Sequence, residues 1–394
     1  MPELINPSER GHAILSPSSS ERWLNCTPSA RLADAAGSKT SEYAEEGTLA
    51  HEIAQHALEW WERGLYYPEI DEMPVPDDLA KSPYLSEDMT RHVGSYVDFV
   101  VNEFYSMQKR GEGGHVVCYW EATFDLSKYI PESFGSSDAT LISPTAMHVI
   151  DLKYGAGVKV SAQNNTQLMI YALGMLNTDP EGRIKEVRMS IVQPRLDHYD
   201  TFTMSADDLL VWGEKVLKPK AKIAWEGGGE QKIGDHCRFC PIKAQCRAQY
   251  DAITSDFEEE CEPMLMTDEE IVEMIGKIDR YRGWINSFDQ FVYEEAMKGK
   301  KWDGYKLVEG RSARKIVDPD TVREKLLNTY LEDEVLNISL KGITDLEKLM
   351  GKKVFAAEIG EYVKSQPGAP KLVPDSHPGK DHERDTASDF DIEG

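Results

Sequence analysis

The chain has 394 residues, 40% of them hydrophobic and 29% charged, with 8 Trp and 17 Tyr. That composition can bury one large core or two ordinary ones, and it excludes wholesale disorder. The net charge of −25 argues against a protein that coats nucleic acid through excess Lys and Arg, but not against an enzyme that acts on it, because charge is felt only over roughly 8–10 Å.

In chain order, residues 1–40 read as irregular, with Ser16-Pro17-Ser18-Ser19-Ser20-Glu21 suggesting a helix N-cap ahead of Trp23 and Cys26. Residues 41–62 predict a helix, since Leu49, Ile53, Ala57 and Trp60 recur at steps of three or four. A Pro-rich acidic loop from Tyr67 to Pro83 precedes a second helix over 87–109, with Val93, Tyr96, Val97, Val100 and Phe104 on one face. Three strands follow at 115–127, 137–143 and 146–153, rich in β-branched and aromatic residues and separated by Gly, Ser and Pro. A helix over 162–177, strands at 184–193 and 198–204, and a helix over 206–225 complete an α/β (α+β) core of about 200 residues. Beyond Gly227-Gly228-Gly229 lie a cysteine cluster at 236–247, a long amphipathic helix over 268–298, a possible hairpin at 302–316 and short helices to about 365. The expected organisation is a first domain over 1–250, a mainly helical region over 262–365, and a disordered acidic tail over 366–394. No run of about 18 apolar residues occurs, and Met1–Ile5 start no basic-then-apolar leader. A cytoplasmic protein without a membrane span is therefore expected.

Two acids stand out. Gly135-Ser136-Ser137-Asp138 is followed thirteen positions later by Asp151-Leu152-Lys153, behind the apolar Val149-Ile150. A hairpin of that size can set the two carboxylates side by side, and hard oxygen ligands suit Mg²⁺ or Mn²⁺. Residues two apart on a strand face one side, so Asp151 and Lys153 point together. The Leu152 carbonyl can complete a metal shell. Such a metal lowers the pKa of a bound water, which Lys153 can orient for attack on phosphorus. Gln167 and Tyr171, four apart, share one helix face. Taken alone, Asp-x-Lys also fits a solvated surface pair. Glu121, in the first strand, fits a further acid of the site and equally an edge charge.

Gly-x-x-Asp, Asp-x-Lys and Gln-x-x-x-Tyr in this order resemble the RecB-like nuclease domain of the PD-(D/E)XK superfamily, over roughly residues 14–250. Gly47-Thr48-Leu49-Ala50-His51 resembles that group's upstream helix histidine. The resemblance implies a restriction-endonuclease-like core, a mixed central sheet flanked by helices, with a helix-rich C-terminal extension. His51, Asp138, Asp151 and the Leu152 carbonyl would hold Mg²⁺ or Mn²⁺, Lys153 would be the catalytic lysine, and Gln167 and Tyr171 its helix partners. The implied activity is a metal-dependent DNA exonuclease of recombination or replication processing, in a phage- or prophage-encoded member. DNA would be the substrate, with a phage recombination or replication protein as a further partner. The alternative is a non-catalytic nucleic-acid-binding or interaction protein on the same scaffold.

Cys237, Cys240 and Cys246 follow C-x₂-C-x₅-C, and Cys26 lies far upstream. In an intracellular chain such clustering favours metal over disulfides. One N-terminal and three C-terminal cysteines bracketing the core resemble the iron–sulfur staple of AddB-type and CRISPR-associated exonucleases. That implies a [4Fe–4S] cluster on Cys26, Cys237, Cys240 and Cys246. Structural Zn²⁺ is the alternative, with His236 as a possible ligand. Cys118 and Cys261 read as structural. Arg22, Lys159, Arg195, His198 and the Lys215–Lys222 group are weaker candidates for phosphate contact. No P-loop or dinucleotide fingerprint occurs, so no nucleotide cofactor is expected.

Overall fold

The computed structural model describes residues 13–37, 42–68, 72–110, 115–179, 181–256, 267–307, 319–327 and 342–363. The chain divides into two compact units, Met1–Leu307 and Val308–Gly394. Cys261, the tail over 366–394 and the part of the expected hairpin beyond residue 307 lie outside the described residues. Among the described residues, no helix is long and apolar enough to cross a membrane.

The first unit is mixed α/β. It begins with short helices α1 (Ser20–Asn25) and α2 (Ser29–Ala36), then the long α3 (Glu42–Glu62) and α4 (Glu87–Lys109). The expected cap at 16–21 takes another form. A 3-10 turn over Pro17–Ser19 leads into α1, and the Ser16 carbonyl accepts the Trp23 indole N–H at 3.0 Å. Ser86 caps α4 through the Met89 N–H.

Five strands make one sheet in the order β1 (Val117–Asp125), β2 (Phe134–Ile142), β3 (Ala146–Leu152), β4 (Glu186–Gln193) and β5 (His198–Ser205). β3 and β4 are parallel and the other neighbours antiparallel. A parallel pair needs a crossover, supplied by α5 (Thr166–Leu176), whose residues from Leu168 to Leu176 are all buried. Asn165 caps α5 by accepting the Leu168 N–H at 3.2 Å.

The sheet separates two apolar clusters. On one face Met147 and Val149 pack with α1, α5, α6 (Ala206–Trp212) and α7 (Lys218–Trp225). On the other, Ile150 and Leu152 pack with α3 and α4. The alternation along β3 therefore sends Asp151 and Lys153 toward α5. The helix expected over 206–225 is broken by a π-helical turn at Gly213–Leu217. There Gly213 lies so close to Leu173 and Tyr129 that a Cβ would stand 2.9–3.0 Å from them.

α8 (Arg247–Ser255) and α9 (Asp268–Met297) finish this unit, α9 opening on a Thr267/Glu270 capping box. Asp256 joins them by accepting from Lys277, Arg280 and Tyr281 at 2.6–2.8 Å. In the second unit the described residues form three short helices, α10 (Pro319–Leu327), α11 (Ile343–Met350) and α12 (Lys352–Glu358).

Candidate active site and cysteine loop

Strand register builds the site. Trp120 faces Ala139 and Ala122 faces Ser137, so Glu121 stands opposite Asp138. The β2–β3 ladder ends at Ala139 and Ile150, and one step beyond it Asp138 stands opposite Asp151. Glu121, Asp138 and Asp151 thus form a row across three neighbouring strands, where β2 and β3 part. The opening frees the Leu152 N–H, which donates to Asp138 Oδ2 at 2.6 Å.

Two helices close on this row. From α3, His51 Nδ1 reaches Asp138 Oδ1 at 3.2 Å and Glu121 Oε1 at 3.6 Å. From α5, Gln167 donates through Nε2 to Asp151 Oδ1 and to the Tyr171 hydroxyl, both at 3.0 Å. Lys153 Nζ donates to Gln167 Oε1 at 2.9 Å and pairs with Asp151 Oδ2 at 2.8 Å. The structure therefore joins Asp138, Asp151, Leu152, Lys153, Gln167, Tyr171 and His51 in one connected polar unit.

The charges follow from these contacts. Burial disfavours an imidazolium at His51, yet Asp138, with Glu121 and Asp151 behind it, holds the ring's pKa well above its ordinary value. Burial also disfavours a charged Asp138, but His51 and Lys153 outweigh it and hold the carboxyl below its usual range. Asp151 is pushed up to about 6, first by burial and then by Asp138, against the pull of Lys153. Burial works against the Lys153 ammonium, and Asp151 more than offsets it. Tyr171 stays protonated, raised by burial and by the two aspartates. Single ligand atoms of His51, Glu121 and Asp138 all lie within 4.8 Å of one another, so one nitrogen and two hard oxygens converge in a set that could hold a divalent cation.

The cysteines gather elsewhere. Cys26, at the end of α1, is buried, and Cys237, Cys240 and Cys246 are half-buried on successive turns; none forms a disulfide. Arg22, one helical turn before Cys26, lies in the electrostatic field of both Cys240 and Cys26. Burial raises the Cys240 thiol, Arg22 favours its thiolate, and Cys237 and Cys246 repel it. Two long-range bonds hold the N-terminal helices here. Thr27 Oγ1 donates to the Gly228 carbonyl and Arg31 Nε to the Trp225 carbonyl, both at 2.7 Å.

A family model described as "Protein of unknown function (DUF2800)" matches residues 12–380. The chain belongs to the DUF2800 family. It is also similar to a solved structure titled "Crystal structure of SSO0001", at 11% identity and a TM-score of 0.24, covering 51% of this chain and 85% of that one.

In this DUF2800 member several weaker candidates have other work. Arg22 is directed at Cys240 and at the Ser29 carbonyl (2.7 Å), not outward to a phosphate. His198 bonds the Val160 carbonyl at 2.9 Å, and Arg195 pairs with Glu46 and covers the Tyr154 ring. Lys218 pairs with Glu214 one turn away. The His236 ring bonds the Lys232 carbonyl at 2.9 Å. Cys118 has its thiol pushed up to about 12 by burial, as suits an inert structural residue. One contributor escaped the sequence reading. Tyr96, fully buried on α4, donates to the Ile150 carbonyl at 3.5 Å, the residue before Asp151. Its place in an apolar helix stripe hides it among core aromatics.

Proposed function

We propose that this chain is a metal-dependent DNA exonuclease of the RecB-like PD-(D/E)XK kind. The observation that carries the reading is the unit in which Lys153 and Gln167 grip Asp151 while His51 and Asp138 face each other across the open strand ends. A surface Asp-x-Lys pair would have no reason to be 2% exposed at its aspartate or to be tied to two neighbouring elements. Buried charge is costly unless paired, and burial of this kind recurs where chemistry needs it.

Asp138 and His51, with Asp151 alongside, would hold Mg²⁺ or Mn²⁺. The cation supplies polarisation of the phosphate and a water acidic enough to attack at neutral pH. The Lys153 ammonium has two of its three donors turned to Asp151 and Gln167, which leaves the third for a phosphate oxygen or the attacking water. Gln167 fixes that ammonium, and Tyr171 fixes Gln167. DNA is the proposed substrate, as the RecB-like reading implies, with a recombination or replication protein as a partner.

Cys26, Cys237, Cys240 and Cys246 would hold a [4Fe–4S] cluster. Four cysteines from opposite ends of the domain would supply the thiolates such a group needs, and Arg22, close to Cys26 and Cys240, would offset their charge. The cluster would clamp α1 to the end of the nuclease domain.

Chain purified without oxygen and incubated with end-labelled single- and double-stranded DNA and Mn²⁺ tests the reading. A chelator-sensitive product ladder is expected, absent in Asp151→Ala and Lys153→Ala. Equal digestion by those variants would refute the mechanism. Tight binding with no cleavage by the wild type would instead select a non-catalytic binding protein. Iron and sulfide in stoichiometric amount support the cluster; zinc in their place would replace it.

A further inference from the structure

We infer that Glu121 is a protein ligand of the divalent cation, and that its left-handed backbone is retained because that ligand is needed. The inference rests on the metal-site reading above and deepens it.

Glu121 lies in the middle of β1 with φ +45°. A non-glycine residue in the left-handed region of a strand is uncommon and costs stability. Here it has a visible consequence. Trp120 packs on the α3/α4 side of the sheet, and Phe124, an even number of residues later, packs on the α5 side. Regular alternation would put both on one face, so the strand changes phase at Glu121. The change lets Phe124 cover Tyr171, in an edge-on contact of 6.1 Å between ring centroids. The pairing on either side of it is unbroken, which leaves Glu121 opposite Asp138, on the row of acids.

Glycine would serve the backbone better, so backbone geometry alone gives no account of glutamate here. The carboxylate does. It stands 3.6 Å from His51 Nδ1, which Asp138 already faces at 3.2 Å. A single histidine needs only one carboxylate partner. Two carboxylates around one imidazole nitrogen, all within 4.8 Å, make a mixed nitrogen–oxygen donor set. Asp151, by contrast, already accepts from Gln167 through Oδ1 and pairs with the Lys153 ammonium through Oδ2. Glu121 therefore takes a first-rank place among the ligands, with Asp151 shared between the cation and Lys153.

The test uses the full chain, purified anaerobically and stripped of divalent cations by dialysis against chelator. Mn²⁺ alone is the probe, read by the free-Mn²⁺ signal in electron paramagnetic resonance and by thermal unfolding. Wild type is expected to bind Mn²⁺ and to unfold at a higher temperature with it. Glu121→Gln should bind on the order of tenfold more weakly or worse, since ligand charge sets affinity at such sites, and should lose most of the thermal shift. Glu121→Gly should also lose the response, yet without metal unfold at a higher temperature than Glu121→Ala, because glycine relieves the backbone. Wild-type affinity in Glu121→Gln, with binding lost in Asp138→Asn, would overturn the role of Glu121 and leave the site reading intact. No Mn²⁺ binding by the wild type would overturn the site reading itself. Glu121→Gly less stable than Glu121→Ala would overturn the strain assignment.

Discussion

The acid row and the cysteine loop are assembled by different physics. The row is a product of sheet register: once Trp120 faces Ala139 and Ala139 faces Ile150, the three carboxylates have no other place to go. Its polar groups are tied to one another through Lys153, Gln167 and His51. The cysteine loop has no such scaffold. It consists of single turns, and its link to Cys26 depends on Arg22 and on two hydrogen bonds from Thr27 and Arg31. The first site should survive loss of its ligand, whereas the second should need its ligand to hold the chain together.

Breaking the loop should therefore have the largest effect on stability. The proposed cluster, joining Cys26 to Cys237, would close a loop of about 210 residues. Chain entropy values a cross-link of that length at about 5 kcal/mol. Cys240→Ser should lose iron and unfold at much lower denaturant, followed by circular dichroism, with cleavage lost only as a consequence. Lys153→Ala should do the reverse. Cleavage should fall by about 10²–10³-fold, or about 3–4 kcal/mol of transition-state stabilisation, while iron content stays at the wild-type level. Equal loss of iron in both variants would erase the distinction between the regions.

A smaller change probes the docking of the N-terminal helices directly. Gly229 adopts φ +92°, and an added Cβ would collide with the Thr27 hydroxyl. Gly229→Ala should cost about 1–3 kcal/mol and lower iron occupancy, yet leave Mn²⁺ binding at the acid row unchanged. Weakened Mn²⁺ binding would mean that the two regions are coupled more closely than their contacts suggest.

What the sequence disclosed follows the same division. Helix α4 is legible because Val93, Tyr96, Val97 and Val100 repeat at helical spacing, and both ends fall where that pattern places them. The strands are legible from β-branched runs between turn residues. Register is not, because a thirteen-residue separation fits several hairpin pairings, and a slip of one would turn Asp151 to the α4 face. Hence Glu121 could be read equally as an edge charge until its partner strand was known. Arg22 looked like a phosphate contact because nothing local in Glu21-Arg22-Trp23 points to a cysteine 218 positions away. The break after α6 was hidden for a similar reason: it arises where Gly213 meets Leu173 and Tyr129, a tertiary contact.

The smallest expected effect separates the two faces of β3 itself. His148 lies on the α4 side, three residues before Asp151. Its Nε2 is 2.7 Å from Ser190 Oγ, which meets Thr201 Oγ1 at 2.7 Å, and its Nδ1 is 3.4 Å from Glu103. Burial holds the ring's pKa below its ordinary value despite Glu103, helped by Arg188 and Arg110. The Glu103 carboxyl is held low by the neighbouring His148 ring and by Arg110. The folded protein therefore keeps His148 neutral where the unfolded chain takes up a proton, below about pH 6.5. Stability should fall as pH drops from about 6.5 toward the lower folded value, and level off beneath it. Glu103 should add a second loss in stronger acid, as pH falls through its own depressed value. His148→Gln keeps a hydrogen-bonding side chain beside Ser190 and removes the first of these. Urea unfolding of metal-free protein between pH 8 and 5 should show wild type losing more stability than His148→Gln, and that difference cancels the contribution of distant groups. Equal slopes would mean that His148 is not the group that titrates. A larger slope in the variant would mean that the folded state favours the imidazolium, and that Glu103 outweighs burial on this face as Asp138 does for His51 on the other.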